Sequence, residues 1–222
     1  MKFIFSKDPS LGITEQSGAL ISLLREGKRV LWLLAGGSNI PIAAEIIAKV
    51  RASVSSDTLS HLSLALTDER YGPVGHADSN WFQLQQTGYD LWGITTYPIL
   101  RDLSLKETID AYDRDAEKFL HSADVIVAQF GMGADGHIAG LLPRCSALQS
   151  SRLVDGYVGA PFTRISLTVP ALHLVQIAYA FVFGESKKNA LQNLHDKTLS
   201  LEEQPAQILK EIPEVYVYQD VM

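Results

Sequence analysis

Residues 130–140 read FGMGADGHIAG, a stretch in which an acid and a histidine, Asp135 and His137, sit among glycines directly after an apolar run. Imidazole changes charge near neutral pH and is well matched to general-base work there. An aspartate two residues earlier can be turned to orient that imidazole or to bind a sugar hydroxyl. A glycine-rich turn whose aspartate only satisfies loop amides has the same composition. Glycine loses more conformational entropy on folding than other residues, and in return allows close backbone approach. A small polar ligand suits a loop built this way.

Other clusters of polar residues carry complementary chemistry. In LLAGGSNIPIAAEII (33–47) a strand passes through Gly36 and Gly37 into an amphipathic helix. Backbone N–H groups at such a helix start, together with the dipole, attract anions. Ser38 or Asn39 can cap the helix or donate to a phosphate. An ordinary capped βα turn reads alike, and the segment is neither a Walker loop nor a GxGxxG fingerprint. LTDERYGPVGHADSNW (66–81) places Asp68, Glu69 and Arg70 just past an apolar run, then His76, Ser79 and Asn80. A run of charges is commonly a solvated turn, but an arginine there offers a planar fork suited to phosphate. The DSN triplet reads as the start of a helix carrying Trp81. Arg164 stands at a strand start in TRISLTV, and Lys187 opens a helix in FGESKKNAL. Single lysines are most often plain surface residues. His76 and His137 with nearby acids raise the question of a metal, but no HxxxH or HxH spacing supports one. The remaining histidines, His61, His121, His173 and His195, lack a comparable setting.

The elements that must position these residues alternate. Apolar runs at 30–36, 62–68, 124–131, 164–169, 178–184 and 215–219 read as strands, and helical patterns fall at 10–26, 40–52, 105–121, 186–195 and 202–210. Several of the strands are apolar without alternation, as expected where both faces are covered. The order predicts an α/β fold: a three-layer αβα arrangement on a mainly parallel, Rossmann-like sheet. No linker, repeat or low-complexity tract divides residues 1–222, which are expected to form a single domain. In such sheets ligands bind beyond the carboxyl ends of the strands. That is where GGSN, DERYGP, GMGADGH and GESK all fall.

Composition narrows the partners. A net charge of −6 disfavours an electrostatic nucleic-acid binder, while a local Arg/Lys cluster can still oppose the global sign. The one cysteine, Cys145, leaves no internal disulfide or multi-cysteine zinc site and suits a reducing compartment. The opening MKFIFSKDPS lacks the pattern of a secretory leader, and no apolar stretch reaches membrane-spanning length. A cytoplasmic protein is expected, and composition leaves its oligomeric state open.

Taken together, LAGGSNIP, TDERYGP with DSNW, GMGADGHIAGLLP, RISLTVPAL and VFGESKKNAL resemble, in order and over nearly the whole chain, the glucosamine-6-phosphate isomerase/6-phosphogluconolactonase family on its lactonase branch. The resemblance implies a hydrolase of a phosphorylated sugar lactone in the pentose phosphate pathway, working without metal or cofactor on a Rossmann-like sheet. It implies that Gly36, Gly37, Ser38, Asn39, Arg70, Arg164 and Lys187 gather round the phosphate and that His137 is the general base. Asp135 would orient the ring, and Asp68 would bind hydroxyls or assist. One departure stands out: the family's Gly-Gly-Ser-Thr-Pro becomes Gly37-Ser38-Asn39-Ile40-Pro41 here. The deaminase branch is the nearest alternative. It typically has a glutamate five residues after the loop histidine, where this chain has Leu142, and Asp-Glu-Tyr where this chain has Asp68-Glu69-Arg70. A non-catalytic sugar-phosphate binder would keep the cations and lose the base, whereas His137 and Asp135 are both present.

Overall fold

The computed structural model describes residues 1–88 and 90–222. Its strands and helices, in chain order, begin with β1 (Lys2–Phe5), α1 (Ser10–Arg25), β2 (Val30–Leu34), α2 (Ile40–Ser53) and α3 (Ser56–Leu59). Next come β3 (Leu62–Leu66), β4 (Asp68–Arg70), α4 (Asn80–Gln86), β5 (Thr95–Tyr97), α5 (Leu105–Ser122) and β6 (Val125–Phe130). The chain then forms β7 (Val154–Tyr157), β8 (Arg164–Leu167), α6 (Val169–Leu172), β9 (Ile177–Val182), α7 (Lys188–Asp196) and β10 (Glu214–Gln219).

Seven of the strands form one parallel sheet in the order β1-β10-β9-β6-β2-β3-β5. The central strands carry the unbroken apolar runs. Every residue of β2 (VLWLL) is buried, and so is every residue of β6 and β9 after the first. Such strands are stable only when helices cover both faces. Right-handed crossovers decide which helix covers which face. Steps from β1 to β2 and β2 to β3 run one way along the sheet and put α1 and α2 together on one side. Steps from β5 to β6 and β9 to β10 run the other way and put α5 and α7 opposite. One apolar cluster reaches from Ile13 to Tyr218 through this sandwich.

The direction reverses between β2 and β6, which are neighbours: the chain leaves β2 toward β3 and leaves β6 toward β9. This reversal opens a crevice at their carboxyl ends, where open α/β sheets bind ligands. GGSN follows β2 and GMGADGH follows β6.

Several elements differ from the sequence expectation. The run at 164–169 is not in the parallel sheet. As β8 it forms a separate three-stranded antiparallel sheet, in the order β4-β8-β7. The run at 62–68 breaks after Leu66, so that Asp68 begins β4. The expected helix at 202–210 is a 3-10 segment, Pro205–Glu211: Pro205 would fall inside a helix begun at 202, and it instead opens the segment, where its missing N–H costs no bond. The edge strand β1 and the short β5 and β7 give too few residues for a periodic signal.

Candidate active site

A cavity of about 210 Å³ occupies the crevice. Its walls include Gly36, Gly37, Ser38, Asn39, Asp68, Arg70, His137, Arg164 and Lys187, so nine of the ten residues singled out from the sequence meet in one place. The tenth, Asp135, stands behind His137 and touches it.

The first wall is the turn after β2. Residues Gly37–Asn39 make one 3-10 turn that leads into α2, with Pro41 in the first helical turn. Neither Ser38 nor Asn39 caps the helix through its side chain. Ser38 is exposed at the cavity, whereas Asn39 is buried. Gln129, on β6, donates to the Asn39 backbone carbonyl at 3.0 Å and to its side-chain oxygen at 3.2 Å, bracing the crevice from its other side. A Cβ at Gly36 would fall 2.1 Å from Asn80 Oδ1, so only glycine lets this turn lie against α4.

The second wall is β4, where the triplet Asp68-Glu69-Arg70 is sorted by the strand period of two. Asp68 and Arg70 point into the cavity. Glu69 points away and is fully buried, its carboxylate accepting the backbone N–H groups of Arg70 (2.8 Å), Asn80 (2.6 Å) and Trp81 (3.0 Å) and the Ser79 hydroxyl (2.8 Å). Burial pushes its pKa above the ordinary carboxylate range, against the opposing pull of these four hydrogen bonds. Ser79 caps α4 by accepting from Phe82 N–H at 3.1 Å, as the DSN triplet implied. Arg70 donates to the Asp78 carbonyl at 2.8 Å. Arg164, directly opposite Arg70 on β8, lies 4.0 Å from Asp68 Oδ2. Two arginines thus face each other across the strand pair and both line the cavity. Lys187 ends a 3-10 turn after β9 and makes no ion pair among the described residues.

The third wall is the loop after β6. Gly133 N–H donates to the His137 carbonyl at 3.0 Å and Gly136 N–H to the Gly133 carbonyl at 3.0 Å, closing a tight turn. This turn folds the imidazole back over Gly133, where a Cβ would lie 2.0 Å from His137 Nδ1. Gly133 is thus needed for the His137–Asp135 pair to form, since its Cβ would also fall 2.4 Å from Asp135 Oδ1. Nδ1 lies 2.7 Å from Asp135 Oδ1. The hydrogen bond to His137 holds the Asp135 carboxyl well below its ordinary range, at about 2. Gly136 carbonyl accepts from Ala206 N–H at 3.0 Å, so the 3-10 segment buttresses the loop.

Asn80, Met132, Phe181 and Phe183 also line the cavity, beyond the residues selected from sequence. Phe181 and Phe183 were legible only as part of an apolar strand, although alternation puts both on one side. His76 lies outside the cavity wall, its Nε2 2.9 Å from the Arg70 carbonyl. Among the described residues no three His, Cys, Asp or Glu side chains are grouped to hold a metal ion. No helix among them is long and apolar enough to cross a membrane.

A family model described as glucosamine-6-phosphate isomerases/6-phosphogluconolactonase matches residues 15–217. A 6-phosphogluconolactonase of Borreliella burgdorferi is 29% identical over 170 residues, covering 70% of this chain and 71% of that protein. One of Bos taurus is 26% identical over 215 residues, covering 87% and 81%. In structure, a 6-phosphogluconolactonase of Thermotoga maritima superposes with a TM-score of 0.80 at 20% identity, covering 98% of each chain.

Proposed function

The chain belongs to the glucosamine-6-phosphate isomerase/6-phosphogluconolactonase family, and from that premise we propose that it hydrolyses 6-phospho-D-glucono-1,5-lactone to 6-phosphogluconate in the pentose phosphate pathway. One observation carries the reading: the cavity that holds Arg70, Arg164 and Lys187 also holds a histidine braced by a carboxylate. Three cations suit a phosphate, and a braced imidazole suits proton transfer to and from water.

The phosphate docks on Arg70, Arg164, Lys187 and the backbone amides of the Gly36–Ser38 turn, with the Ser38 hydroxyl exposed beside them. Binding energy from this remote group positions the lactone carbonyl, so that attack is effectively unimolecular. Asp135 accepts from His137 Nδ1, which leaves the Nε2 lone pair to take a proton from water. The water oxygen adds to C1, and loop amides or a nearby cation stabilise the tetrahedral oxyanion. His137 then returns the proton as the ring oxygen leaves. Asp68, buried at the edge of the cavity, binds sugar hydroxyls. The activated lactone needs no serine nucleophile.

Leu142 speaks against the deaminase alternative. It does not line the cavity and has no proton to exchange. We further read residues 1–222 as a single domain, a view supported by the continuous core. We place it in the cytoplasm, with a sugar phosphate rather than a nucleic acid as its partner. Incubation with freshly made 6-phosphogluconolactone and, separately, with glucosamine 6-phosphate tests the reading. Acid release above the spontaneous rate is expected with the first and no ammonia with the second; the reverse pattern overturns it.

A further inference from the structure

We propose that Phe162 is a positioning residue for the anion end of the cavity, its ring holding the guanidinium groups of Arg70 and Arg164 together without taking up their N–H groups. The proposal rests on the phosphate reading of this cavity and adds a residue that does not line it. Arg70 and Arg164 are directly opposed on antiparallel strands, an arrangement in which like charges repel. Left alone, two long cationic side chains splay toward solvent. Both instead converge on one ring: the Arg70 guanidinium carbon lies 5.3 Å from the Phe162 centroid and that of Arg164 5.8 Å. Both distances fall within cation–π range.

The choice of an aromatic matters chemically. A carboxylate in this place would also gather the arginines, but it would occupy their N–H groups and cancel the charge a phosphate needs. A ring attracts cations through its π face and accepts no strong hydrogen bond, so donors remain available. Arg70 gives one N–H to the Asp78 carbonyl at 2.8 Å, and its Nε is buried with no hydrogen-bond partner among the described residues, so the ring gathers the side chain without accepting any of its donors. The contact with Asp68 is long, at 4.0 Å, and engages Arg164 alone. Phe162 sits half-buried two residues ahead of Arg164, in the segment that leads into β8.

The experiment compares Phe162→Leu, Phe162→Tyr and a series of fluorinated phenylalanines at position 162, which drain the ring's negative face while scarcely changing its shape. Inorganic phosphate binding is read by calorimetry, alongside KM and kcat on the phosphorylated lactone. Phe162→Leu is expected to weaken phosphate binding and raise KM about tenfold, with kcat within about twofold. Phe162→Tyr is expected to restore both, and each added fluorine to weaken binding further. Phosphate binding in Phe162→Leu equal to wild type, or indifferent to fluorination, overturns the role of Phe162. Should Phe162→Leu fail to fold, the fluorinated series alone decides. A wild-type protein that binds no phosphate overturns the phosphate reading itself, which separates the two failures.

Discussion

Asp135 Oδ1 lies 2.7 Å from His137 Nδ1 and also accepts the His137 backbone N–H at 3.1 Å. Two contacts to one oxygen fix the ring and hold the proton on Nδ1. The hydrogen bond to His137 lowers the Asp135 pKa to about 2, so this carboxylate stays ionised well into the acid range. A depressed carboxylate stabilises the fold above its unfolded value, near 3.9, and loses that contribution as pH falls through about 2. Asp135 is half-exposed, so the stability at stake is small.

Asp135→Asn is accordingly expected to act on turnover rather than on folding. Its amide can present an NH₂ to Nδ1 and favour the tautomer with the lone pair on the wrong nitrogen. We expect kcat to fall by roughly 10–10³-fold with KM little changed, approaching the contribution of a positioned proton-transfer group. Asp135 is already ionised above pH 4, so the acidic limb of the rate profile should persist in the variant. Initial rates across pH check both points, and wild-type kcat would remove Asp135 from the mechanism.

Arg164→Ala and Lys187→Ala are each expected to cost about 1.5–3 kcal/mol in kcat/KM on the phosphorylated lactone, the range for a charge-assisted contact. The loss should largely vanish with an unphosphorylated gluconolactone. Comparable losses on both substrates would show that these cations do not meet the phosphate.

Glu69→Ala should damage the fold before the chemistry. The Ser79 hydroxyl and the N–H groups of Arg70, Asn80 and Trp81 lose a buried acceptor together, and water can reach only some of them. We expect a loss of about 2–4 kcal/mol in urea unfolding. Unchanged stability would mean that α4 is anchored elsewhere.

Chelation is expected to leave the rate unchanged, since no residue in the proposed mechanism is asked to hold a metal. An activity lost to EDTA and regained with one divalent ion would contradict this.

The contrast between Asp68-Glu69-Arg70 and GMGADGH shows how much the sequence could tell. The glycine loop, the strand before it and the helix after GGSN were readable because apolar runs and glycines mark strand ends locally. Those local signals put GGSN, GMGADGH and GESK at strand ends that border the cavity, whereas the gathering of Arg70, Arg164 and Lys187 with them was implied by the family resemblance. The DER triplet could not be sorted from sequence, because a three-residue strand has no measurable period, and its partner β8 comes some 90 residues later. Glu69 and Arg70 look alike as surface charges, yet one is sealed under α4 and the other faces the cavity. Phe162 was invisible for the same reason. Its meaning depends on two arginines that only the antiparallel pairing brings together.

Gly133 leaves room for the His137 imidazole to lie back against the loop beside Asp135, and this makes His137 the residue whose removal is most telling. His137→Asn should keep the fold, because the side chain is partly exposed and its loop is held by backbone bonds from Gly133, Gly136 and Ala206. Phosphate affinity should also survive, because Arg70, Arg164 and Lys187 are untouched. Turnover should drop by roughly 10²–10⁴-fold. In the wild type the acidic limb of the rate profile should track protonation of the imidazole, which removes the base. In His137→Asn that limb should disappear. The lactone also opens unaided, so the spontaneous rate must be subtracted at each pH before the comparison is made. A folded His137→Asn protein with near wild-type turnover would eliminate the imidazole as base and leave Asp68, a buried carboxylate that lines the same cavity, as the group to substitute next.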